Sequence, residues 1–201
     1  MKRLNELILE TSQRFPEGEV LTPERFLSLG SRAAVSRCLS RLVQRGCLIR
    51  VSHGIYVMPI ATKFGPPDFR PPAPYKVIQS LAAVTNEVIV RHGAYVANAL
   101  GLTTQMPLRE IFLTNGHART LQFGAYQVEI RCAPAWLMSL GATLAGDAAR
   151  ALAWIDAPFA MQAAAKLHAL LPDSEWLALT SAQGSMPEWM ADAICAQSNR
   201  A

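Results

Sequence analysis

At 201 residues, with 51% hydrophobic and only 17% charged positions, the chain has ample apolar material for a core and lies far from the composition of disordered proteins. The length suits one large domain or two small ones, and two compact units are expected. The net charge of +4 is unevenly spread: through Lys63 there are 10 Lys+Arg against 5 Asp+Glu, or +5, and from Phe64 onward 9 against 10, or −1.

The N-terminal apolar stretch is broken by Glu6 and Glu10, too short and too charged for a secretory signal, so a cytoplasmic location is expected. Leu4, Leu7, Ile8 and Phe15 place one apolar stripe along a first helix over 3–15, stopped by Pro16-Glu17-Gly18. Thr22-Pro23-Glu24-Arg25 starts a second, short helix ending near Gly30, because a threonine accepts orphan backbone N–H groups and proline is tolerated in the first turn. Ser31 caps a third helix over 31–45, whose apolar positions Val35, Cys38, Leu39 and Leu42 fall within one arc. Opposite them stand Ala33, Arg37, Ser40, Arg41 and Gln44, with Arg45 at the margin, and Gly46 is placed to end the helix in a left-handed conformation. Leu48-Ile49-Arg50-Val51 and Ile55-Tyr56-Val57-Met58, joined by Ser52-His53-Gly54, predict a β-hairpin. This order is that of a winged helix-turn-helix domain, assigned to residues 1–60.

Six of the 13 prolines fall between Pro59 and Pro74, which predicts a stiff linker over 61–74. Residues 75–201 form the expected second domain. Helices are predicted over 75–85 and 92–100, and strands over 110–114 and 121–133, the latter a hairpin turning near Gly124. An alanine-rich helical series, punctuated by Gly146, Pro158, Pro172 and Gly184, then follows from Pro134. The fold class is therefore α+β, with a small sheet in the second domain. No apolar stretch reaches the ~20 residues that a membrane span requires.

Between Ser31 and Arg50 the chain carries Arg32, Arg37, Arg41, Arg45 and Arg50 and no acid. Arginines on one helix face gain affinity for a duplex by releasing condensed counterions, and an α-helix fits the ~12 Å major groove. Small residues such as Ala33 and Ser36 let the first turn approach base edges, Arg37 and Arg41 are the candidate readers of base or phosphate, and Arg50 and His53 sit where a wing reaches the neighbouring backbone. A solvated basic face is the plain alternative; the fold context favours duplex DNA as the partner. Motifs for catalysis are missing: there is no GxSxG, GxxxxGK[ST] or HExxH, so an enzyme is not expected. The cysteines Cys38, Cys47, Cys132 and Cys195 form no CxxC pair and read as reduced core thiols, and no metal or cofactor is expected. His92, His117 and His168 read as surface or hydrogen-bonded histidines. Trp136, Trp154, Trp176 and Trp189 read as packing residues, one of them a candidate anchor for a homodimer. Arg91, Arg109, Arg119 and Arg131 are balanced by nearby acids.

The run Arg41-Leu42-Val43-Gln44-Arg45-Gly46-Cys47-Leu48-Ile49-Arg50 and on through Gly54-Ile55-Tyr56 to Pro59 resembles the segment that closes the winged helix in AbiEi-type antitoxins of bacterial type IV toxin–antitoxin systems. Val90-Arg91-His92-Gly93-Ala94-Tyr95 through Leu100-Gly101-Leu102, followed by Ile111-Phe112-Leu113-Thr114-Asn115, resembles the opening of that family's second domain. What the resemblance implies is a repressor of its own promoter that binds repeats there and counteracts a nucleotidyltransferase-type toxin without necessarily forming a stable complex with it. It places the recognition-helix role on Ser31, Arg32, Ser36, Arg37, Ser40, Arg41 and Gln44, and the wing role on Arg50 and His53. The alanine-rich C-terminal third departs from the pattern. Two further readings stand beside this one: a winged-helix transcriptional regulator whose C-terminal domain senses a small ligand or dimerises, and an interaction module whose winged helix grips protein.

Overall fold

The computed structural model describes residues 3–62 and 69–198 and shows a mixed α+β fold with small sheets. Among the described residues no helix is long and apolar enough to cross a membrane. The chain divides into two compact units, residues 1–87 with 120–128 and residues 88–119 with 129–201.

In the first unit, α1 (Leu4–Ser12) leads through a single 3-10 turn, Pro23–Phe26, to α2 (Arg32–Gln44). The expected second helix shrinks to that turn, in which only Pro23 and Phe26 are buried. Four residues with two inward positions give little packing to offset the cost of helix nucleation. The Ser31 hydroxyl caps α2, accepting from the Ala34 N–H at 3.4 Å, and Gly46 (φ +72°) closes it in the left-handed region. β1 (Ile49–Ser52) and β2 (Ile55–Val57) form the hairpin in antiparallel register, and Tyr56 also exchanges two backbone hydrogen bonds with Leu21, at 2.8 and 3.0 Å. The core beneath joins Ile8, Leu21, Phe26, Val35, Cys38, Leu39, Leu42, Leu48 and Tyr56.

Part of the expected linker is ordered as a ladder: β3 (Ile60–Ala61) pairs antiparallel with β4 (Phe69–Arg70). These four positions hold no proline and so keep their N–H groups. The rest of the proline-rich expectation, 63–68, lies outside the described residues. The division between the units falls at Glu87/Val88 rather than in that stretch, because α3 (Pro74–Thr85) is fastened to the chain before α2. Glu17 takes Lys76 at 2.5 Å and the Ala73 N–H at 3.2 Å, while Glu19 accepts from the Ser80 hydroxyl, which in turn accepts the Val20 N–H at 2.9 Å. Gly18 (φ +84°) lets this loop press on α3, since a Cβ there would lie 2.5 Å from that of Lys76.

The second unit opens with β5 (Ile89–Arg91), a strand that the sequence pattern did not reveal, paired antiparallel with β6 (Glu110–Thr114) across α4 (Gly93–Ala99). β7 (Arg119–Phe123) and β8 (Tyr126–Cys132) include residues 120–128, which belong to the first unit, and the strand order is β5-β6-β8-β7. Then follow α5 (Ala135–Met138), α6 (Leu144–Ile155), α7 (Ala160–Leu170), α8 (Asp173–Ser181) and α9 (Glu188–Ser198), which bury alanines together with Leu152, Leu167, Leu179, Met190 and Ile194. Gly146 lies inside α6 instead of punctuating the series, because a Cβ there would press on the Gly141 carbonyl. α4 and α6 touch at Gly93, where any Cβ would collide with the Arg150 carbonyl. Only Trp176 of the tryptophans is buried, and only Cys38 of the cysteines; Cys47 and Cys195 are half-buried, Cys132 is exposed, and all four are free thiols.

His92 is the cap of α4: its Nδ1 accepts from the Ala94 N–H at 3.2 Å. Burial, and then the charge of Arg131, push its pKa below the ordinary 6.5, so the folded chain favours the neutral ring. A depressed histidine pKa means that the unfolded chain binds more protons as pH falls past 6.5, and the stability present above that value is lost. Urea unfolding followed from about pH 7.5 to about pH 5.5 is expected to show this decline, and His92→Asn, which keeps a capping oxygen, to flatten it. An unchanged slope in the variant would place its origin in other groups.

Candidate functional site

α2 meets the first-unit core with Val35, Cys38, Leu39 and Leu42, all buried, so the residues between them are turned to solvent. Ser31, Arg32, Ala33, Arg37, Ser40, Arg41, Gln44 and Arg45 are all exposed, and Ser36 is half-buried. Arg50 and His53 of the hairpin are exposed too. The two groups meet across a concavity of about 530 Å³ lined by Arg32, Ser36 and Ser40 on the helix and by Arg50, His53 and Tyr56 on the hairpin. Its remaining wall is the 3-10 turn, through Pro23 and Glu24.

The expectation of an acid-free surface needs one correction. Glu24 reaches Arg32 at 2.7 Å, both side chains more than half exposed. Hydrogen bonds from its own backbone N–H and the Thr22 hydroxyl, aided by Arg32, hold the Glu24 pKa below the usual carboxylate range. The pair stands eight positions apart in sequence, bridged by a turn, and no helical spacing announces it; the Thr22-Pro23-Glu24 run was legible only as a helix start. Arg37, Arg41 and Arg45 have no carboxylate within ion-pair distance among the described residues, so three guanidinium groups on this helix remain uncompensated.

The hairpin pair is coupled internally. Arg50 donates from Nε to the Ser52 carbonyl at 3.3 Å, and its Nη2 lies 2.9 Å from His53 Nδ1. Because arginine can only donate, His53 Nδ1 is the acceptor in this contact, and in the neutral ring the proton sits on Nε2. The Ser40 hydroxyl donates to the Ser36 carbonyl at 3.0 Å, which leaves its lone pairs free to accept. Among the described residues no group of three or more His, Cys, Asp or Glu side chains could hold a metal ion.

In the second unit the arginines are largely paired: Arg91 with Glu110 at 3.6 Å, Arg109 with Glu129 at 3.8 Å, and Arg131 with Glu129 more closely.

Fold and surface together define a two-unit α+β protein with a basic helix and hairpin exposed on its first unit. The chain belongs to a family of unknown function, DUF6088, whose pattern matches residues 7–154. That span runs from the second turn of α1 to the residue before the last of α6 and leaves α7 to α9 outside. No curated protein matches the chain.

The two faces of α2 differ sharply in what they contribute to stability. Leu39→Ala is expected to cost about 2–5 kcal/mol, as fully buried leucines do. Arg37→Ala should stay within about 0.5 kcal/mol, as for surface sites without partners. Urea unfolding of both variants checks this, and a loss at Arg37 comparable to that at Leu39 would show a structural role for the arginine.

Proposed function

We propose that the first unit is a winged helix that binds double-stranded DNA, with α2 as the recognition helix and the β1–β2 hairpin as the wing. The observation that carries this reading is the set of Arg37, Arg41 and Arg45, exposed and without a carboxylate partner, on the same helix whose other side is fixed in the core. Polyanion binding rewards that arrangement, since each neutralised phosphate releases condensed counterions. Support also comes from the small exposed residues of the first turn, Ser31 and Ala33, and from Arg50 and His53 lining one concavity with Ser36 and Ser40. Arg37 and Arg41 are the principal contacts, Gln44 and Arg45 flank them, and Arg50 with His53 holds the neighbouring backbone. Arg32 begins neutralised by Glu24 and joins the interface by exchanging that carboxylate for a phosphate.

The narrower reading follows the AbiEi-type resemblance. It makes the chain a cytoplasmic antitoxin and autorepressor, acting on repeats in its own promoter and opposing a nucleotidyltransferase-type toxin. The resemblance alone supports the toxin as partner.

Gel-shift titration of the full chain against its own upstream DNA tests the DNA reading. Replacement of Arg37 and Arg41 by alanine is expected to weaken binding, and each lost phosphate contact to lower the salt slope by about 1. Glu24→Gln should tighten binding about two- to fivefold, the size of an exposed ion pair. Wild-type binding that ignores salt would overturn the DNA reading. The antitoxin reading is tested separately, by co-expression with the product of the adjacent gene: growth rescue from a nucleotidyltransferase-like toxin is expected, and failure of rescue removes that reading while leaving DNA binding intact.

A further inference from the structure

A smaller concavity, of about 200 Å³, lies wholly within the second unit and is lined by Arg91, His92, Tyr95, Arg109, Glu110 and Trp154, with Pro107 on its lip. It falls below the ~300–1,000 Å³ typical of pockets for drug-sized ligands, which suits a one-ring or short-chain molecule rather than a nucleotide.

Its lining is rich in donors. His92 spends Nδ1 on the Ala94 N–H, so the neutral ring carries its proton on Nε2, and that donor has no partner among the described residues. The Trp154 indole N–H likewise makes no hydrogen bond among them. The Arg109 side chain is 78% exposed and 3.8 Å from Glu129, a carboxylate that Arg131 holds more closely. Arg91 lies over the Tyr95 ring at 3.9 Å and is paired with Glu110. Glu110 is the one acid in this lining, against two guanidinium groups.

Apolar residues flank the lining in sequence. Met106 and Leu108, on either side of Pro107, are 78% and 100% exposed, and Tyr95 is 43% exposed. His92 and Trp154 also line an adjoining hollow of about 230 Å³, whose wall includes Arg150. Arg150 is 1% exposed; it donates to the Gly141 carbonyl at 2.9 Å and to Asp147 at 2.5 Å, yet its buried Nε has no partner among the described residues. A buried guanidinium N–H without an acceptor is an unspent donor.

We propose that the second unit binds a small organic acid here, with its carboxylate on His92 Nε2–H and Arg109 and its apolar body against Tyr95, Pro107 and Trp154. A carboxylate supplies only acceptors, which is what this donor set lacks, and the apolar walls select against a bare inorganic anion. No residue of the first unit takes part, so the site stands or falls apart from the DNA reading.

Benzoate is the probe, titrated calorimetrically into the full chain, while an amide correlation spectrum follows the Trp154 indole signal, assigned through Trp154→Phe. Saturable one-to-one binding that shifts this signal is expected. Arg109→Gln, at an exposed position, should weaken it about fivefold, and His92→Asn, which retains the α4 cap, about tenfold, the measure of a lost charge-assisted hydrogen bond. Benzamide, with the ring but no charge, and inorganic phosphate, with charge but no ring, should each bind at least about tenfold more weakly. The proposal is overturned by the absence of saturable benzoate binding up to on the order of 10 mM, by binding that leaves Trp154 unmoved, or by affinity unchanged in both variants. Phosphate binding as tightly as benzoate would overturn it too, in favour of an inorganic-anion site.

Discussion

Val35, Cys38, Leu39 and Leu42 pack into one core with Ile8, Leu21, Phe26, Leu48 and Tyr56, and that packing decides what the rest of α2 presents. Burying one large aliphatic side chain is worth about 1.5–3 kcal/mol, whereas an exposed ion pair is worth about 1 kcal/mol at most. The rotation of the helix about its axis is therefore set by its apolar arc, and the arginines go where that arc sends them. Their own contacts explain them unequally. Arg41 and Arg45 lie at the C-terminal end, where the helix dipole favours cations, and Arg32 has Glu24. Arg37 sits in mid-helix with neither, one turn from Arg41, where like charges repel slightly. Of the four, it is the arginine for which folding offers no account.

The same contrast between local pattern and distant contact decides what could be read from the sequence. α2 was legible to within a residue at each end, because a serine cap, an apolar period and a terminal glycine all act within one segment. The hairpin and the sheet strands β6 to β8 were legible for similar reasons, as alternating runs with turn residues between them. The division between the units was not. Prolines mark where helix and central strand are disfavoured, but a boundary is set by which segments hold each other, and Glu17, Gly18 and Glu19 hold α3 from more than fifty residues away. β5, three residues long, needs its partner β6 before it is a strand at all.

Within the candidate interface the exposure of each side chain was legible and its partnership was not. Periodicity places Arg32, Arg37 and Arg41 outward; it says nothing of Glu24, which comes from another element through a turn whose geometry no spacing rule encodes. The Arg50–His53 contact is equally silent in sequence, since it spans an irregularity in the β1–β2 register between Arg50 and Ser52. A donor-rich hollow in the second unit escaped for a different reason. His92 and Trp154 come from elements some sixty residues apart that meet only because Gly93 lets α4 lie against α6.

Two kinds of arginine are thus exposed on the first unit, and the difference bears on how the proposed winged helix would divide its work. Arg50 is already ordered by the Ser52 carbonyl and His53, and of its five N–H groups two are spent, so three remain for an incoming acceptor with little further loss of rotamer freedom. Arg37 and Arg41 have no such tether and must give up side-chain entropy, up to about 2 kcal/mol each, when they dock. A pre-ordered cation suits a contact that is the same at every site, such as a phosphate, because a fixed geometry meets a repeating target. Mobile guanidinium groups suit contacts that differ from site to site, because only the right arrangement of acceptors repays their ordering. On the proposed DNA reading the hairpin would supply register along the backbone, and any discrimination between sequences would rest with the helix.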